Sequence, residues 1–68
     1  MTPQEIRIIK AILDVDNRQL SEMMGVSQQT VSYWASGARN MPEPERRLLL
    51  RILDERNVPE DKWRIVEV

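Results

Sequence analysis

Histidine and cysteine are both absent from the 68 residues. Their absence removes the commonest general base, the thiol nucleophile, the usual zinc ligands and any disulfide staple. Glycine occurs only twice, and no Gly-rich loop of the phosphate-cradling kind is present. The carboxylates lack the spacing of a calcium-binding loop. The hydroxyls of Thr2, Ser21, Ser27, Thr30, Ser32 and Ser36 have no base partner to activate them. An enzyme is therefore not expected, nor a cofactor, a metal site or a small-molecule ligand. No apolar run approaches the length of a membrane span. The opening MTPQEIRIIK has neither the basic flank nor the apolar run of a signal peptide. A cytoplasmic protein with no membrane partner is the expectation.

Phenylalanine is missing too, so Leu, Ile and Met must carry the interior, which points to an all-helical core. Hydrophobic residues make up 41% of the chain, enough for one domain over residues 1–68. That length is near the lower limit at which a core holds without staples. Basic surplus is also scarce. The net charge is −1, opposite to the footprint that nucleic-acid binding usually leaves. Its distribution is uneven, with five Arg against three Glu over residues 17–51 and acidic surpluses on either side. A surplus of two is small, and a monomer should bind a polyanion weakly.

Thr2, Pro3 and Glu5 form a helix start, with a hydroxyl cap, Pro at the first position and Glu completing a capping box. Ile6, Ile9 and Leu13 mark its inner stripe, widened by Ile8 and Ile12, and the helix should end near residues 13–15. Asp16 caps a second helix bearing Leu20, Met23 and Met24, which Gly25 stops in a left-handed conformation. Val26 follows as a buried plug, and Ser27 caps a third helix. Past Gly37 the turn-rich ARNMPEPE leads to a fourth helix, opened by Pro42 or Pro44 at its first position. Leu48, Leu49, Ile52 and Leu53 should face inward there, with Arg46, Arg47 and Arg51 solvated. Asn57 suits the residue just past its end, and residues 58–63 read as one further helical turn. Met23, Met24 and Met41 read as core filling.

Two short helices joined by a tight Gly turn, residues 17–36, are the sequence form of a helix-turn-helix. With Gln28 at zero on a helical wheel, Ser32, Ser36, Gln29 and Tyr33 fall at about 40°, 80°, 100° and 140°. Val31 and Trp34 fall at about 300° and 240°, on the other side. One face thus holds amides, hydroxyls and a phenol without charge, and the other is an apolar anchor. A glutamine amide can accept from adenine N6 and donate to N7 in the major groove. Gln28 and Gln29 are base-reading candidates on that ground, with Ser32 and Tyr33 beside them for a base, a thymine methyl or a phosphate. Asn17, Arg18, Arg39 and Asn40 are the candidates for holding the DNA backbone. The competing reading makes all of these an ordinary solvated surface.

Leu20, the small Ser21, Gly25-Val26-Ser27, Val31, Ser32, Trp34 and Gly37 stand where the phage-repressor/Cro (XRE-type) regulators have such residues. The chain resembles that family over about residues 6–53. The resemblance implies an all-α, lambda-repressor-like domain of four or five helices that binds double-stranded DNA as a transcriptional regulator, a repressor by analogy. It implies that the start of helix 28–36 enters the major groove. It also implies that Asn17, where the family commonly has Gln, holds a phosphate, and that Arg39 lies in a phosphate-binding loop. Many members carry Glu where this chain has Ala35, paired with a basic residue on the first helix; Lys10 would then lack its partner. The tail, residues 59–68, has strand-like composition at Trp63, Ile65, Val66 and Val68. It reads either as a short strand pairing two copies into a homodimer, as in Cro-like relatives, or as Trp63 sealing the core while the end frays. The functional alternative is a helical protein-interaction module that keeps the scaffold without binding DNA.

Overall fold

The computed structural model describes residues 1–65, which form four α-helices and one 3₁₀ turn, with no strand among the described residues. Helix α1, Pro3–Leu13, starts with both halves of the expected capping box. The Thr2 hydroxyl accepts the Glu5 N–H at 3.2 Å, and Glu5 Oε1 accepts the Thr2 N–H at 2.8 Å. Helix α2, Asn17–Met24, repeats the device, with Asp16 capping the Gln19 N–H at 2.8 Å and Gln19 Oε1 returning to the Asp16 N–H at 3.0 Å. Helix α3, Gln28–Ser36, is capped by the Ser27 hydroxyl on the Thr30 N–H.

Helix α4, Glu43–Glu55, departs from expectation at its start, because neither proline occupies the first position. Pro42 is the cap, in extended backbone, and Pro44 is the second helical residue. The Pro42 carbonyl accepts the first ladder bond, from the Arg46 N–H at 3.0 Å. Pro44 lacks an amide at a position where that amide would have no helical partner.

Three of the four helices stop in the same manner. Asp14, Gly25 and Asn57 adopt left-handed backbone at φ 55°, 70° and 57°. In each case the next residue is valine, whose N–H reaches back five positions: Val15 to the Lys10 carbonyl, Val26 to Ser21 and Val58 to Leu53. This is the Schellman arrangement, which pairs otherwise orphaned carbonyls. All three valines then pack, half-buried, against the core, so Val26 is less enclosed than a fully buried plug.

Each α-helix contributes to that core. Ile6 and Ile9, Leu20, Val31, and Leu49 with Leu53 are fully buried, with Met24, Trp34, Met41 and Trp63 around them. Two of the expected inward residues are not inside, since Ile12 is 40% and Leu48 37% exposed. The stripe of α1 narrows at its end, and α4 buries the Leu49–Leu53 line with Leu50 and Ile52 half-buried at its flanks. Met23 is half-buried as well.

Beyond α4 the 3₁₀ turn Glu60–Lys62 delivers Trp63 into the core. The Ile65 N–H then donates to Glu5 Oε2 at 3.3 Å, tying this segment to the first turn of α1. Burial pushes the Glu5 carboxyl up, but the Thr2 and Ile65 N–H donors, the Thr2 hydroxyl and the nearby terminal ammonium outweigh it and hold it below its usual range. Val66 and Val68, on which the strand reading of the tail depends, lie outside the described residues. No helix is long and apolar enough to cross a membrane.

Candidate nucleic-acid interface

Val31, Trp34 and Ala35 bury one side of α3 against α1 and α2. That anchoring turns Gln28, Gln29, Ser32 and Ser36 outward, with Tyr33 half-buried at the edge, as the wheel places them. Gly37 ends the helix at φ 86°, and a Cβ built there would stand 3.2 Å from Pro3 Cγ. The chain thus turns against the start of α1, where only a residue without a side chain fits comfortably.

This turn returns Arg39 to α3. Its N–H donates to the Tyr33 carbonyl at 3.3 Å, and its guanidinium lies 4.7 Å from the Tyr33 ring centroid, within cation–π range. The same carbonyl accepts the Ser36 hydroxyl at 3.2 Å. On the other side, Gln29 Nε2 donates to the Tyr33 hydroxyl at 2.7 Å. Gln29, Tyr33 and Arg39 therefore form one connected strip. The spacing of Gln29 and Tyr33, one helical turn, is the sequence signal for their contact. The stack of Arg39 on the ring has no such signal.

A second group forms at the start of α2. Lys10, left without its family partner by Ala35, donates its ammonium to Asn17 Oδ1. The bond uses the oxygen of Asn17 and makes its amide nitrogen the end available to donate outward. Ala35 itself is buried. Arg18 pairs with Glu22 at 3.4 Å, both largely exposed, a contact of small net value that an incoming phosphate can replace. Asn40 is exposed in the loop after Arg39.

Four further arginines are compensated, whereas Arg7 on α1 and Arg56 at the end of α4 have no carboxylate within 4.0 Å among the described residues. Arg46 and Arg47 share Glu43, Arg51 faces Glu55, and Arg64 meets Glu60. Arg39 has no carboxylate within 4.0 Å among the described residues. The modest positive surplus of the central stretch is consequently cancelled along α4 and left uncompensated beside α3. Among the described residues no group of carboxylates is placed to hold a metal ion.

No curated protein and no solved structure matched the chain. A family model described as helix-turn-helix does match, over residues 5–61, from the first turn of α1 into the 3₁₀ turn. That match takes in the Asp16–Gln19 capping box, the Gly25 turn and the whole of α3, and the chain belongs to the XRE-type helix-turn-helix family of DNA-binding transcription regulators.

Proposed function

We propose that the chain reads a specific duplex DNA sequence by placing the start of α3 in the major groove. Gln28 and Gln29 contact base edges, with Ser32 and Tyr33 at the margin of the same surface. Asn17, Arg18, Arg39 and Asn40 hold the phosphates on either side. One observation carries the reading: an exposed helix face that hydrogen-bonds but bears no charge, bordered by an arginine without a carboxylate partner. An ordinary solvated helix would carry acids and bases, as α4 does.

Repression is the proposed mode, because occupancy of a site by such a domain suffices for it. We place the protein inside the cell, where its DNA is. A homodimer on DNA fits the weak charge, since two copies double the phosphate contacts and set two half-sites about one DNA turn apart. The net charge of −1 and the paired arginines of α4 favour the second reading, a helical protein-interaction module.

Affinity for a duplex selected from a random pool, measured against salt, separates the two. Binding should weaken steeply as salt rises, with a slope of about −0.9 per phosphate contact. Gln28→Ala and Gln29→Ala should each cost about 1–3 kcal/mol of specific binding with little change in unfolding midpoint. Absence of duplex binding even at low salt would leave the interaction module.

A further inference from the structure

Building on the base-reading role of α3, we infer that Tyr33 sets which base Gln29 accepts. A glutamine amide has two ways to read a purine in the major groove. Its oxygen and one N–H match adenine, which offers the N6 donor and the N7 acceptor. Its two N–H groups together match guanine, which offers two acceptors, N7 and O6. A freely rotating amide on an exposed helix face can do either.

Gln29 is not free. One of its Nε2 hydrogens is directed at the Tyr33 hydroxyl, 2.7 Å away. What remains outward is Oε1 and a single N–H, the adenine pattern. The guanine mode requires breaking the bond to Tyr33. The hydroxyl is itself held in place, because the ring is half-buried, covered by the Arg39 guanidinium at 4.7 Å and fixed through its backbone to the Arg39 N–H. Tyr33 is thus a positioning residue for Gln29, and Arg39 keeps Tyr33 in position.

Tyr33→Phe removes only the hydroxyl and keeps the ring under Arg39. Parallel selection from a randomised duplex pool with the wild-type chain, Gln29→Ala and Tyr33→Phe tests the assignment. Wild type should fix adenine at one position of the site, and Gln29→Ala should lose that preference. Tyr33→Phe should keep a purine there but admit guanine, the adenine-to-guanine ratio falling on the order of tenfold. Its melting temperature and salt slope should stay as in wild type. If Gln29→Ala erases the preference while Tyr33→Phe leaves it intact, base reading stands and the role of Tyr33 is overturned. Guanine selected by the wild type overturns it as well, since the amide would then be turned with Oε1 toward the hydroxyl. Uniform weakening of Tyr33→Phe on every sequence makes the hydroxyl a phosphate contact and overturns it too. If Gln29→Ala changes no position, or no chain enriches any sequence, the base-reading role falls and this inference with it.

Discussion

Replacing Glu5 by glutamine should destabilise the domain in a way that depends on pH. The Glu5 side chain is nearly enclosed, at 8% exposure, and its two oxygens serve different segments. Oε1 takes the Thr2 N–H at 2.8 Å and Oε2 the Ile65 N–H at 3.3 Å. Glutamine offers one oxygen, so one backbone N–H must face an NH₂ group instead. Hydrogen bonds to a charged acceptor contribute about 1.5–3 kcal/mol each, and neutral ones about half that. Losing one and weakening the other should cost about 2–4.5 kcal/mol near pH 7, at least about 10 °C in melting temperature for a domain of this size. The sign with pH follows from the lowered carboxyl. A carboxyl that ionises more readily folded than unfolded adds stability above its unfolded pKa of about 4.3. That addition disappears as pH falls through the folded value. Urea midpoints of wild type and Glu5→Gln, taken from pH 7 down to pH 3, should therefore converge at the acid end. Parallel curves would refute the reasoning, showing that shape and not charge sets the difference.

The two glycines should respond unequally to alanine. Gly25→Ala meets no atom within 4 Å of the new Cβ and should cost only the backbone strain, about 1 kcal/mol, whereas Gly37→Ala must also displace Pro3 Cγ and should cost more. Equal urea midpoints for the pair would contradict this. Asp14→Gly should raise the unfolding free energy by about 0.5–1 kcal/mol, because it relieves left-handed backbone and removes an acid from the negative end of α1; a loss would mean that the aspartate side chain makes a compensating bond. Ending the chain after Trp63 should abolish the proposed dimer on DNA, as read by sedimentation mass. A full-length chain that binds its DNA as a monomer would end the dimer proposal.

Much of this architecture is legible because the sequence states it locally. Thr2 with Glu5, Asp16 and Ser27 declare helix starts within three or four residues, and Gly25 declares a stop. The face of α3 is legible from period alone, since Val31 and Trp34 leave no doubt about which side is anchored. What escapes reading is set by distance along the chain. The bond from Lys10 to Asn17 spans the corner between α1 and α2, and the one from Ile65 to Glu5 joins residues 60 positions apart. Leu48 misleads for another reason: in a run of three leucines every one fits a helical stripe, and only packing against the other helices decides which face wins. The prolines of α4 mislead because both the cap and the first turn tolerate a missing amide. The proposed contacts of Asn17, Arg18, Arg39 and Asn40 depend on the DNA itself, which no pattern within the chain contains.

The three valine-terminated corners bear on time. At Asp14-Val15, Gly25-Val26 and Asn57-Val58 the break in the helix and the residue that packs beneath it are neighbours in sequence. The backbone bond of each corner can close as soon as its helix forms, while its valine packs once the core assembles. Helical domains assembled from such near contacts fold in about microseconds to milliseconds. Wherever reclosing at that pace outruns cleavage by a protease, susceptibility follows the open population. The chain's resistance to a protease is then governed by how small a fraction is open at any instant, and hardly by how often it opens.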